Sequence, residues 1–320
     1  MIQSDVRMPT ATGVHAAAAA VAAILPPTPL LPVELGGVRA WIKADNLQPI
    51  GSFKIRGAWW RLSNLSDAER RGGVVAVSSG NHAQGVAWSA QRLGISATIV
   101  MPHDAPAVKL ANTRALGAEI VPYRRPQEDR DAVAAGLIAE RGGTLVHAFG
   151  DPWVIEGQGS AAIEIVAQLG RSPSRIIACC GGGGLAAGLA LGAPDSAIHP
   201  VEPEGWDMVG QAMAAGEIVA AAPDAPTTIC DALQPTASKP INLAVLKGRA
   251  EPGVVVTDEQ VRAAQRFAFA NLRLVIEPGG AAALAAALAG KVPVDADTVI
   301  MLTGGNADPA AFAATIAAGA

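Results

Sequence analysis

The chain has 320 residues and a mass of 32.3 kDa, enough for two packed lobes. Half of it is hydrophobic and only 4% aromatic, so a sizeable core is possible with alanine doing much of the filling. A net charge of -4 argues against non-specific nucleic-acid binding. Cys179, Cys180 and Cys230 have neither zinc spacing nor a disulfide framework, which fits a reducing cytoplasm.

The run Ala16 to Leu25 reads as a first amphipathic helix ended by Pro26 and Pro27. It is too short to span a bilayer, Asp5 lies upstream, and no clear cleavage site follows, so a helix is expected here rather than a membrane anchor or signal peptide. Before His15 the chain is expected to fray. Val38 to Lys43 reads as a short strand. The stretch Gly51-Ser52-Phe53-Lys54-Ile55-Arg56-Gly57-Ala58 opens a helix that runs through Leu62. Next come a buried strand over Val74 to Val77, a helix over Asn81 to Leu93 and a strand over Ala97 to Met101. A helix over Pro106 to Leu116, a strand over Glu119 to Pro122, a helix over Glu128 to Arg141 and a strand over Thr144 to Val146 continue the pattern. Trp153 to Leu169 reads as a helix, and Arg175 to Cys180 as a strand leading into glycines. The two adjacent cysteines are expected on opposite faces of that strand. A weaker alternation follows, with an alanine-rich helix over Ala281 to Ala289 and a last strand over Thr298 to Leu302. Strands alternating with helices predict parallel sheets with crossover helices, hence an α/β fold. No repeat or low-complexity linker interrupts it.

Lys54 stands out because it lies between Phe53 and Ile55, with glycine close on either side. Burial there disfavours the ammonium form and lowers the pKa. A neutral amine can form a Schiff base with a carbonyl. The plain alternative is a snorkelling lysine at a helix start. Three further stretches follow in order: Ser78-Ser79-Gly80-Asn81-His82-Ala83-Gln84-Gly85, then Gly181-Gly182-Gly183-Gly184-Leu185, then Thr303-Gly304-Gly305-Asn306. The glycine run lets backbone N–H groups turn inward around a phosphate at a helix start. It lacks the Lys-Ser/Thr pair of a P-loop. Alone, it is equally a tight turn. Ser79 and Asn81 are also ordinary helix-capping types, and Thr303 is an ordinary strand-end residue.

The ordered set, from about Thr28 to Asp308, resembles the serine/threonine dehydratase and serine racemase family of pyridoxal-phosphate enzymes. The resemblance implies a two-lobed α/β architecture of fold type II, similar to the tryptophan synthase β chain, each lobe a mostly parallel sheet flanked by helices. It implies a large lobe of residues 1–72 and 147–320, a small lobe of residues 73–146, and the cofactor between them. It implies pyridoxal 5'-phosphate on Lys54, packed by Phe53, with the phosphate on Gly181, Gly182, Gly183, Gly184 and Leu185. Asn81 would reach the phenolic oxygen and Thr303 the pyridine nitrogen. Ser78, Ser79, Gly80, Asn81 and His82 would take the substrate α-carboxylate. Lys54 would act as catalytic base, and Ser79 matches the hydroxyl that faces the substrate opposite the lysine in racemases. Arg130 matches an arginine that swings toward a second carboxylate; the alternative is a solvated helix charge. A homodimer is the expected assembly.

Some positions depart from the family pattern. Thr303 replaces the usual serine. Ala232 replaces a glycine and would crowd the cofactor edge. Glu202-Pro203-Glu204-Gly205-Trp206-Asp207-Met208 resembles a divalent-cation loop, but Met208 is a poor ligand for a hard ion and Asp207 lies one place early. A divalent cation is therefore kept as a second cofactor without assigned ligands. The chain stops at Ala320 with no regulatory domain in view, so isoleucine feedback is not expected.

The activity implied is an ammonia-lyase that converts threonine or serine into a 2-oxo acid and ammonia. The segment through Cys230-Asp231-Ala232-Leu233 looks most like the bacterial hydroxy-amino-acid dehydratase branch. Dehydration of hydroxyaspartate and racemisation of serine or aspartate stay open. So do a nucleotide site at the glycines, which would leave Lys54 and Asn81 unexplained, and a degenerate, non-enzymatic member.

Overall fold

The computed structural model describes residues 7–318, apart from 106 and 126. The chain enters through α1 (Ala11–Ala22), capped by the Thr10 side chain. Of the stretch before His15 that is expected to fray, residues 1–6 lie outside the described residues, and residues 7–14 are held in place: the Arg7 guanidinium bonds both oxygens of buried Glu156, at 2.8 and 2.9 Å. Asp5 lies outside the described residues.

A hairpin follows, β1 (Leu30–Leu35) and β2 (Val38–Ala44), turned by Gly36 and Gly37 at φ 58° and 81°. This two-residue turn needs positive φ at both positions, which glycine supplies without strain. Next are α2 (Lys54–Ser63) and the short α3 (Asp67–Gly72), the latter started by a Ser66–Glu69 capping box.

The middle of the chain is β3 (Val74–Val77), α4 (Asn81–Leu93), β4 (Ala97–Pro102), α5 (Ala107–Ala115), β5 (Glu119–Tyr123), α6 (Arg130–Arg141) and β6 (Thr144–Leu145). Of the helix expected from Pro106, the first residue lies outside the described residues. The helix expected from Glu128 starts at Arg130 because Asp129 caps it, accepting from the N–H groups of Asp131 and Ala132.

The rest comprises α7 (Pro152–Leu169), β7 (Arg175–Cys179), α8 (Gly184–Gly192), β8 (Ala197–Pro203), α9 (Met208–Ala215) and α10 (Pro240–Leu246). Then come β9 (Val254–Val256), α11 (Asp258–Phe267), α12 (Pro278–Leu288), β10 (Thr298–Leu302) and α13 (Pro309–Ala317). Helix α7 has an Asp151 cap, Pro152 in its first turn and Gly170 in the left-handed conformation at its end.

Two sheets result. One has six strands in the order β1-β2-β10-β7-β8-β9, all parallel except the β1–β2 hairpin. The other has four parallel strands in the order β5-β4-β3-β6. The larger core joins β7, β8 and β10 to α7, α8 and the alanine-rich α12. The second core packs α2, α4 and Val154 of α7 on the four-stranded sheet. Helix α2 thus lies between the two. Its approach to α4 depends on Gly85, where a Cβ would stand 3.1 Å from the Lys54 carbonyl. Among the described residues no helix is long and apolar enough to cross a membrane.

Candidate active site

Parallel strands deliver their carboxyl ends to one edge of a sheet, and ligands bind beyond that edge. Here β3 ends before Ser78, β7 before Cys180 and Gly181, and β10 before Thr303. All of these residues line one cavity of about 280 Å³, near the lower end of the ~300–1,000 Å³ typical of small-molecule sites.

Lys54 is the first residue of α2. Its backbone setting is made by the far end of the chain. Phe53 N–H donates to the Thr303 carbonyl at 3.0 Å, and Gly305 N–H to the Gly51 carbonyl at 2.8 Å. Asn306 Nδ2 donates to the Ile50 carbonyl at 2.9 Å. Behind the helix, buried Arg56 bonds Asp45 at 2.8 Å and Glu164 at 2.9 Å. Lys54 Nζ points into the cavity, donates to the Ala148 carbonyl at 2.9 Å and lies 5.2 Å from the Phe53 ring centre. Burial disfavours its ammonium and pushes the pKa down to about 8, although Cys179 and Glu277 oppose this.

The loop Ser78, Ser79, Gly80, which leads into α4, lines the same cavity. Ser78 Oγ accepts from Gly80 N–H at 3.1 Å, and no side chain caps the helix. The first-turn N–H groups are therefore available to an anion. The His82 ring is not: Nε2 lies 2.8 Å from the Val146 carbonyl, to which it must donate, leaving Nδ1 an acceptor. Burial, with Lys54 nearby, pushes His82 down to about 3, so it stays neutral. Any contact of His82 with a carboxylate is through its backbone.

Asn81 is held from two sides. Its Oδ1 accepts from Asn306 Nδ2 at 2.7 Å, and its Nδ2 donates to Glu277 Oε1 at 2.6 Å. This fixes the amide so that one Nδ2 hydrogen remains for a ligand. Glu277 is buried on the cavity wall, and burial pushes it up to about 7 against the Asn81 bond. Glu277 was not singled out from sequence. Its only signal was a charged residue before the Pro-Gly-Gly start of an alanine helix.

The glycine run turns sharply into α8. Gly183 has φ 91° and offers no side-chain cap to the helix. A Cβ on Gly182 would stand 2.3 Å from the Phe149 ring, so only glycine fits. Cys179 ends β7, Thr303 directly follows the neighbouring β10, and their Sγ and Oγ1 meet at 3.1 Å. Burial pushes the Cys179 thiol up to about 11, so this hydroxyl–thiol pair carries no charge. Only Cys179 is in the strand; Cys180 lies past its end, and both line the cavity. The expectation of opposite strand faces does not hold.

At the mouth, Lys109 pairs with Asp231 at 2.9 Å. Arg130 and Ala232 also line the cavity. Among the described residues Arg130 has no carboxylate partner, and its charge helps to push the nearby His147 down to about 4, after burial, Lys239 and Lys54.

The cation loop does not fit a cation. Both Glu202 oxygens are taken by backbone, accepting from Val209 N–H at 2.9 Å and Gly210 N–H at 2.8 Å. Glu202 thus caps α9, and burial pushes it up to about 8. Met208 is buried, and among the described residues no group of three or more His, Cys, Asp or Glu side chains comes together.

The same cavity does fit pyridoxal phosphate. It offers a buried amine for the aldehyde, an uncapped helix start behind glycine for the phosphate, and an amide and a neutral hydroxyl for the ring. Two α/β layers around such a site define a pyridoxal-phosphate enzyme of fold type II. The chain belongs to the pyridoxal-phosphate dependent enzyme family, whose model matches residues 16–304. It is 38% identical over 285 residues to an L-threo-3-hydroxyaspartate ammonia-lyase of Saccharomyces cerevisiae, covering 88% of this chain and 86% of that one. It is 35% identical over 280 residues to an L-threonine ammonia-lyase of Thermotoga maritima, covering 86% and 69%. Among solved structures, maize serine racemase superposes with a TM-score of 0.89 at 31% identity, covering 98% of both chains.

Proposed function

We propose that the protein is a pyridoxal-phosphate-dependent ammonia-lyase that releases a 2-oxo acid and ammonia from a β-hydroxy amino acid. The observation that carries this reading is the Lys54 amine, facing the N-terminus of α4 across one cavity. Bound there, the cofactor supplies an electron sink for the α-carbon. Lys54 anchors the cofactor and, once released, takes the α-proton; a pKa near 8 leaves part of the amine unprotonated at neutral pH. Ser78, Ser79 and the first N–H groups of α4 hold the α-carboxylate. Ser79 faces the substrate from the side opposite Lys54. Phe53 packs beside the cofactor, Asn81 donates to its phenolic oxygen, and residues 181–185 hold its phosphate. The uncharged Thr303–Cys179 pair, placed at the ring nitrogen, does not force a proton onto it. Beside such a pair the bound cofactor would be a weaker electron sink, which would favour loss of the β-hydroxyl.

A second substrate reading, hydroxyaspartate, is favoured by Arg130, which lines the cavity without a carboxylate partner among the described residues. One relative quoted above carries that activity in its name. The small lobe is taken as residues 73–146, in support of which the four-stranded sheet falls wholly within them. A cytoplasmic homodimer completes the reading. Its support is three free cysteines and the exposed apolar side chains Leu47, Phe269 and Val275.

The test is a screen of L- and D-serine, L-threonine and both hydroxyaspartate diastereomers for 2-oxo acid release. Release from at least one L-substrate is expected. Loss of the α-proton with inversion and no 2-oxo acid would make the protein a racemase instead.

A further inference from the structure

The Gly182 carbonyl is held from behind by two side chains. Ser238 Oγ donates to it at 3.0 Å and Asn242 Nδ2 at 2.5 Å. Both residues are buried, with 3% and 0% of their surface exposed. One carbonyl oxygen has two lone pairs, and here both are used. The Asn242 amide cannot be turned over, because its Oδ1 would then face the Gly182 oxygen. Among the described residues no donor meets that Oδ1. Burying an amide with one unmet atom costs stability, so Asn242 is a poor choice for packing alone.

The peptide unit is planar and trans, so its C=O and N–H point in opposite directions. Fixing the Gly182 carbonyl toward α10 therefore turns the Gly183 N–H away from α10. Gly183 itself lines the cavity. The Phe149 ring against Gly182 and the positive φ of Gly183 leave the turn no other easy path.

We propose that Asn242, assisted by Ser238, is a positioning residue that sets the Gly182–Gly183 peptide so that the glycine turn presents N–H groups to the cofactor phosphate. The proposal rests on the reading of residues 181–185 as the phosphate cradle. Asn242 acts through the loop and touches neither cofactor nor substrate.

The test compares two ligands that differ only in the phosphate. Wild-type protein, Asn242→Ala and Ser238→Ala, each stripped of cofactor, are titrated with pyridoxal 5'-phosphate and with pyridoxal, read by absorbance. Asn242→Ala should weaken pyridoxal phosphate about 10-fold, the equivalent of one net hydrogen bond, and leave pyridoxal unchanged. If Asn242→Ala does not fold, Ser238→Ala should show the same selective loss at about threefold. Equal weakening of both ligands, or pyridoxal phosphate affinity within about twofold of wild type, overturns the proposal. Wild-type protein that binds neither ligand would sink the proposed function itself, a different result.

Discussion

Asn81 Nδ2 and Glu277 Oε1 meet at 2.6 Å, joining the first turn of α4 to the residue that precedes α12. The contact ties the two sheets together at the cavity wall. It also places a carboxyl whose pKa is raised to about 7 next to the amide proposed to hold the cofactor ring.

Glu277 should therefore be visible in the pH profile. As pH falls through about 7 the carboxyl takes up a proton and the charge beside Asn81 is lost. kcat/KM should fall with it along a single-proton limb. Glu277→Gln keeps an acceptor for Asn81 but cannot ionise. The variant should lack the limb and sit about 10-fold below the wild-type plateau, in the range of one charge-assisted hydrogen bond. A limb near 7 that persists in Glu277→Gln assigns the titration to another group.

Lys54→Ala should abolish both elimination and the visible absorption band of bound cofactor, while the melting temperature of the protein stripped of cofactor is retained. The buried ammonium is a cost in the native state. Its folded pKa is depressed, so its contribution to stability is present above its ordinary value of 10.5 and is lost as pH falls through about 8. Removing the amine should not destabilise the protein at neutral pH. If borohydride still fixes cofactor to Lys54→Ala, another lysine is the anchor.

Arg130→Ala separates substrate recognition from surface charge. An arginine fork on a β-carboxylate gains a charge-assisted pair worth about 1.5–3 kcal/mol. kcat/KM for hydroxyaspartate should drop about 10- to 100-fold, with serine barely affected. Equal losses on both substrates would point to the α-carboxylate or to closure of the cavity. No loss on either makes Arg130 a solvated helix charge.

Glu202 predicts both cation independence and a stability slope. With both oxygens on backbone N–H groups, added magnesium or a chelator should change neither activity nor melting temperature. Its folded pKa of about 8 lies above the ordinary 4.5, so its contribution is full below 4.5 and is lost as pH rises through 8. The melting temperature should fall across that window, by about 1.5 °C per kcal/mol lost for a chain of 320 residues. Glu202→Gln should flatten the slope. A chelator that lowers the wild-type melting temperature would restore the cation site.

The sequence by itself determined the alternation of strands and helices, because parallel strands buried on both faces read as short β-branched runs. Asn81–Leu93 and Thr298–Leu302 match the structure residue for residue. The Lys54, Ser79–Asn81, glycine and Thr303 stretches each lie where a strand ends or a helix starts, and each alone has a plain local reading; only their order along the chain, through the family resemblance, pointed to a shared site. Strand β1 was missed because Pro32 lies within it, tolerable only at the sheet edge that β1 occupies. Tertiary structure alone decided the partners. Glu277 meets Asn81 across 196 positions, Cys179 meets Thr303 across 124, and Asn242 meets Gly182 across 60. No local pattern encodes such pairs, since burial and hydrogen-bond geometry are set only when separate elements pack. The same holds for Glu202. Its sequence neighbours suggest a metal, and only the folded chain turns both of its oxygens onto the amides of α9.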